Sequence, residues 1–363
     1  MSRPEAVVVS YRLGGADGVG VEAGKWEWAL RELGFTTRRV AGELEGASRP
    51  DDTWLAFLAI DPVAGARPDP EALAATLAGA DLVVVENLCS LPLNVEAAIV
   101  TRDVLAAHRG RVCFHHHDFA WERPRLAHID GFPPDRPGSV HVTISERARA
   151  DLARRGIPAF AVPNSFDFDA FDGDRAPTRS ALGFTDDDVV LLQPTRAIPR
   201  KNTEGGLRFA EAVARRLGGR RVHYWITGPA EEGFGAELER MVAATSVPVH
   251  VGRAPRSADA YAAADLVVFP STWEGFGNPV VEATAARRMT AVGWYPVLDE
   301  ITTDLELCSI DDPDGAVEWL GRDEADRGAV LEANRATARA RFAIEHLPDR
   351  IRSVFAAVGW TDW

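Results

Sequence analysis

The sequence predicts an α/β protein of two domains, each a parallel sheet covered on both faces by helices. Its 363 residues exceed one ordinary domain and suit two of about 150 to 200 residues each. Short apolar, β-rich runs alternate with helix-period segments along the chain, and strand alternating with helix builds a parallel sheet. Midway, VPNSFDFDAF and the turn formers up to residue 177 interrupt the alternation and read as a linker.

In the first half the expected strands are 6–9, 54–60, 82–85, 112–114, 140–144 and 159–162. The first runs through Ser10 into a loop over 11–18, on the strand-end edge where such sheets bind ligands. Gly14 and Gly15 there would let backbone N–H groups approach a phosphate or sugar closely, although a plain flexible turn accounts for the same glycines. A helix is expected over 19–33, with Trp26, Leu30 and Leu33 at core spacing and Lys25 on the surface.

The strand 112–114 runs into His115, His116 and His117, followed by Asp118, Trp121, Arg123 and Arg125. Successive strand residues point to opposite faces, so the three histidines cannot share one ion; no metal is expected, and one or two imidazoles should face the ligand edge. Asp118, Trp121 and Arg123, with Asn87 past the neighbouring strand, are candidate acceptor contacts. The bland alternative is a structural Asp turn with exposed arginines.

In the second half the expected strands are 189–193, 222–227, 247–251, 266–269 and 290–292, and the loops after the first four share one edge. One of these loops carries Arg196 and Lys201 in TRAIPRKN, and another Gly252 and Arg253. Among 40 Lys and Arg residues only Lys25 and Lys201 are lysine. Arg can grip a phosphate with two parallel bonds and Lys adds a compact charge, which favours phosphate binding over a surface salt bridge here.

The stretch 261–288, YAAADLVVFPSTWEGFGNPVVEATAARR, reads as strand, loop and helix. Asn278 suits an N-cap and Pro279 the first turn, so Gly275 and Gly277 precede a helix N-terminus attractive to anions. Glu274 and Glu282 flank it, and carboxylates bind hydroxyls rather than phosphate. Together these features describe a nucleotide-sugar pocket; taken singly, Glu274 could be a solvated loop residue and Glu282 a complement to the helix dipole. Beyond it, 331–345 has helical composition, Pro348 should break it, 351–358 is apolar enough to dock, and Trp360 and Trp363 could anchor the end.

A net charge of -14 argues against nucleic acid and against docking on anionic lipid. No apolar run approaches the ~18 residues of a membrane span, and the first residues lack a signal-peptide core; a cytoplasmic protein is expected. Cys89, Cys113 and Cys308 are far apart with no CxxC, so they read as core thiols.

Taken together, EGFGNPVVE at 274–282, ADLVVFPS before it, Arg196 with Lys201, the Gly14–Gly15 loop, VPNSFDFDAF and HVTISERARADLARRGI resemble the family 4 glycosyltransferases. These are retaining enzymes of GT-B architecture, with two facing Rossmann-like domains and a cleft between them. The resemblance covers most of the chain in the right order, and its most specific piece is the paired glutamates around Gly-Phe-Gly. It implies an acceptor domain over 1–165, a donor domain over 166–340 and a C-terminal helix, 341–363, crossing back to the first. It also implies a UDP- or GDP-linked donor as co-substrate, with no other cofactor. By position, Arg196 and Lys201 would bind the pyrophosphate and Glu282 the ribose. Glu274 and the N–H groups of Phe276, Gly277 and Asn278 would hold the sugar, Gly15 would lie at the diphosphate, Gly252 and Arg253 at the base, and His117 near the reacting carbon. Trp294-Tyr295-Pro296 stands where the family carries a glycine pair.

The residues fit metal-independent transfer of a hexosyl group to a small or lipid-linked hydroxyl acceptor. Cations and N–H groups would stabilise the departing diphosphate while the acceptor attacks from the same face. A GT-B epimerase or phosphorylase would share the fold, and a non-catalytic sugar-binding protein would need no diphosphate site.

Overall fold

The computed structural model describes residues 3–15, 17–47 and 49–362. The chain forms two compact units: Met1–Ser165 together with Ile344–Trp363, and Phe166–Ala343. The second boundary falls three residues later than expected. Phe342 stays with the second unit, where it accepts a hydrogen bond from Phe166 N–H at 2.7 Å and meets the Phe276 ring edge-on at 5.6 Å. The expected anchoring by Trp363 falls outside the described residues.

The first unit holds seven parallel strands: β1 (Glu5–Leu13), β2 (Thr36–Leu44), β3 (Thr53–Trp54), β4 (Leu82–Glu86), β5 (Arg111–His116), β6 (Ser139–Thr143) and β7 (Phe160–Ala161). Their spatial order is β3-β2-β1-β4-β5-β6-β7. Ala6 and Val8 pack into one apolar layer and Val7 and Val9 into the other, as a doubly covered strand requires. The helix Gly18–Glu32 puts Trp26 and Leu30 into the first layer, which also takes Leu347, Ile351, Val354 and Phe355 of the helix Leu347–Ala357. That one-sided spacing is why the chain end belongs to this unit.

Two expectations fail here. β2 was not anticipated, because its Thr-Thr-Arg-Arg opening lacks an apolar alternation; Arg38 is instead paired to Glu5, and buried Arg39 to Asp52. The strand expected over 54–60 shrinks to β3 and a 3-10 turn, Ala56–Leu58, which drops Phe57 and Leu58 into the core. Gly42 permits this, since a Cβ there would lie 1.8 Å from the Ala59 nitrogen.

The second unit holds β8 (Val189–Gln193), β9 (Val222–Ile226), β10 (Val249–Val251), β11 (Leu266–Phe269), β12 (Thr290–Val292) and β13 (Cys308–Ser309), in the order β10-β9-β8-β11-β12-β13, again all parallel. In each sheet the order reverses beside a central strand, β1 in the first and β8 in the second, and loops at such points are the usual ligand sites. Among the described residues no helix is long and apolar enough to cross a membrane. Cys89 and Cys113 are buried, whereas Cys308 is only half-buried.

Candidate functional site

In the first unit, the ends of β4 and β5 lie side by side, with Glu86 opposite His115. Alternation along β5 sends His115 and His117 to one face and His116 to the other. His116 Nε2 bonds His141 Nδ1 at 2.9 Å in a buried, stacked pair, so it takes no part at the ligand edge. His115 Nδ1–H and His117 Nε2–H both donate to Glu86 Oε2, each at 2.8 Å. Burial alone would raise the Glu86 carboxyl, but the two imidazoles overcome it and hold the group down to about 2. Burial also disfavours protonation of both rings; at His117 the bond to Glu86 outweighs it and the pKa is raised, while His115 is lowered. Of the two imidazoles, His117 is therefore the more readily protonated.

Glu86, His115 and His117 bring three donor atoms within 4.8 Å of one another, so this group could hold an ion. Alternation separates His116 from the other two, and the carboxylate that joins them comes from β4. Glu86 went unnoticed because a single acid ending the apolar run Leu82-Val83-Val84-Val85 looks like an ordinary strand terminus.

Asn87, expected at the acceptor, has a structural role as well. It is buried, at φ 59°, and its Oδ1 accepts from the N–H groups of His117 and Asp118, both at 3.0 Å. Asp118 and Arg123 face each other at 3.4 Å and are partly exposed. Trp121 is sandwiched, with Phe119 stacked at 4.3 Å and the Arg155 guanidinium 3.8 Å from its ring centre. Lys25 is not a free surface cation: it pairs with buried Glu22 and donates to Ser165 O. Gly14, at φ +84°, has no room for a Cβ because Glu45 O would be 2.2 Å away. With Gly15 it lines a pocket of about 320 Å³ that also takes Arg39, Arg49, Glu27 and Glu45. The side chain nearest Gly15 is the Glu45 carboxylate.

In the second unit the loops after β8 and β11 meet at the switch point. Asn202, in the left-handed region, caps the helix Thr203–Leu217 through Gly205 N–H and donates to Pro270 O at 3.1 Å, while Thr272 N–H donates to Arg200 O at 3.0 Å. These bonds bring Lys201 and Arg200 onto one carboxylate: Lys201 Nζ lies 2.5 Å from Glu274 Oε1 and Arg200 Nη1 2.9 Å from Oε2. Burial would raise the Glu274 carboxyl, yet the two cations hold it below its usual range; buried Lys201 is lowered. Arg196 is half-exposed and paired with Glu231 at 2.6 Å, and its charge also reaches Lys201. The second cation on Glu274 is thus Arg200, present in the same TRAIPRKN segment but with no local feature to distinguish it from Arg196.

The helix Asn278–Ala285 starts one residue earlier than its composition suggests. Gly277 is the cap, at φ 107°, and Asn278 is already helical. A Cβ at Gly277 would lie 2.1 Å from the Tyr295 hydroxyl, so the aromatic replacing the family's glycine packs directly beneath the loop. That hydroxyl is buried and has no hydrogen-bond partner among the described residues. Phe276 turns its ring into the core beside Phe166. Glu282 Oε2 accepts from Tyr261 OH at 2.6 Å. Gly252 and Arg253 are exposed at the end of edge strand β10, and Gly252 O accepts from Trp225 Nε1 at 2.8 Å.

The family described as "Glycosyl transferases group 1" matches residues 191–315, the span that holds Arg196 to Lys201 and Glu274 to Glu282. A mannosylglucosylglycerate synthase of Petrotoga mobilis is 26% identical over 81% of this chain and 83% of its own length. A D-inositol 3-phosphate glycosyltransferase of Geodermatophilus obscurus is 33% identical over 47% of this chain and 39% of its own length. Among solved structures, Anabaena HepE in complex with UDP-glucose superposes with a TM-score of 0.71 at 15% identity, covering 97% of this chain and 99% of that one. The two parallel-sheet units have the GT-B fold of that structure, and residues 191–315 carry the group 1 glycosyltransferase match.

Proposed function

We propose that this enzyme moves a hexosyl group, with retention, from a nucleotide-diphosphate sugar to a hydroxyl of a small anionic polyol or sugar acid, without a metal. The observation that carries the donor half is the Arg200–Glu274–Lys201 cluster beside the start of the helix Asn278–Ala285. A departing nucleotide diphosphate gains negative charge, and two fixed cations with helix N-terminal N–H groups stabilise it without reorganisation. In this reading Glu274 and the backbone of Phe276 to Asn278 meet the sugar and Glu282 the ribose. Arg196 exchanges Glu231 for phosphate, Gly15 lies by the diphosphate, and Arg253 lies by the base. The leaving phosphate takes the acceptor proton on the same face, so no protein nucleophile is required.

The acceptor class rests on the relatives, whose names specify a glycerate-containing product and a phosphorylated inositol as substrate, both hydroxylated and anionic. Asp118 and Arg123 are the half-exposed groups we assign to that acceptor. Such a donor is a cytoplasmic metabolite, and we place the enzyme there. A thermal-shift screen of UDP, GDP, ADP and their sugar conjugates tests the donor site, because a ligand bound only by the native state raises Tm. A diphosphate nucleotide should raise Tm while free hexoses do not; a shift from free sugar alone would remove the donor reading. Product anomers read by NMR test retention, and full activity after dialysis against EDTA tests metal independence.

A further inference from the structure

Resting on the reading that His117 stands at the reacting carbon, we infer that Glu86 and Asn87 are positioning residues that present His117 Nδ1 to the substrate. The two anchors are independent of each other. Glu86 Oε2 holds the ring through Nε2, and Asn87 Oδ1 holds the backbone through the N–H groups of His117 and Asp118. Both come from the end of β4, one strand away, so the histidine at the end of β5 is fixed by its neighbour rather than by its own loop.

The arrangement leaves one nitrogen over. His117 Nδ1 makes no hydrogen bond to any described residue, yet it is not among the buried polar atoms that lack a partner, so it reaches the surface. In the other imidazoles of the cluster the spare nitrogens, Nε2 of His115, Nδ1 of His116 and Nε2 of His141, are all sealed inside. His117 alone among these four combines a locked ring with an open nitrogen. An ionised carboxylate accepts only, so Nε2 must carry a proton and the tautomer is set. His115, on the same Oε2 and packed at 4.2 Å on Trp26, keeps the carboxylate from swinging away. A carboxylate buried merely to close the core would need no partner reaching the surface.

The test is a double-mutant cycle in the intact chain with Glu86→Gln, His117→Ala and both. The readout is nucleotide diphosphate released from UDP-glucose, GDP-mannose or ADP-glucose, with glucosylglycerate and D-inositol 3-phosphate as acceptors. Glu86→Gln should lower kcat about tenfold or more with donor KM nearly unchanged, and in the His117→Ala background it should change kcat less than about twofold. Equal losses in both backgrounds, or a stoichiometric metal in the purified protein held by these three side chains, would overturn the inference. If Glu86→Gln does not melt cooperatively, Asn87→Gly replaces it in the cycle, because glycine tolerates the positive φ and lacks the carboxamide. A wild-type enzyme that releases no diphosphate from any pair defeats the glycosyl-transfer reading and takes the inference with it. An active His117→Ala defeats only the placement of His117 and the inference built on it.

Discussion

Glu274 has one carboxylate and two cations, and removing either cation leaves the other to neutralise it. The fold should therefore tolerate Lys201→Ala, while on the proposed donor site the lost charge at the leaving group should lower kcat/KM by about 100-fold or more. Arg200→Ala should be at least as damaging as Arg196→Ala, because Arg196 is paired with Glu231 at the surface; steady-state kinetics of the three variants decide the order. Glu122 offers a pH prediction. Burial raises its carboxyl from 4.5 to about 7, against the bond from Phe119 N–H. Over that window the unfolded state ionises and the folded state does not, so stability present below 4.5 is lost as pH rises to about 7. Glu122→Gln should then raise stability by about 1–2 kcal/mol near pH 8 and do little near pH 4, as read by urea melts at the two pH values.

At the scale of elements, the loop from β11 into the helix Asn278–Ala285 depends on Gly277 and on what lies beneath it. Gly277→Ala must hold an L side chain at φ 107° against the Tyr295 hydroxyl. It should lose about 1–3 kcal/mol along with donor-induced stabilisation in the thermal-shift assay. Tyr295→Phe deletes a hydroxyl that has no partner among the described residues, so it should leave Tm unchanged or raise it. Helix and strand identities in this region were legible because Leu266–Phe269 is a short apolar run and Asn278-Pro279 opens a helix. The cap lies one residue before the expected Asn278, and only the φ of Gly277 shows where the helix begins. β2 escaped because its charges are satisfied by Glu5 and Asp52, partners far away in sequence.

For the whole molecule, the last twenty residues belong to the unit that the chain builds first. Deleting 344–363 uncovers the pocket filled by Leu347, Ile351, Val354 and Phe355, worth about 6–12 kcal/mol of apolar burial, comparable with the entire stability of a domain. Calorimetry of the truncated chain should show the transition of the first unit lost, with nucleotide still shifting that of the second. The sequence by itself determined two doubly covered parallel sheets, the strand-end edges where ligands gather, and the Glu274 to Glu282 segment, because each follows from local periodicity and from residues with unusual backbone needs. Tertiary structure alone decided which charges meet: Glu86 with His115 and His117, Asn87 under the His117 backbone, and Glu274 with Lys201 and Arg200. Those pairings depend on which strands are neighbours and in what register, and neither is written in the pattern of any one segment.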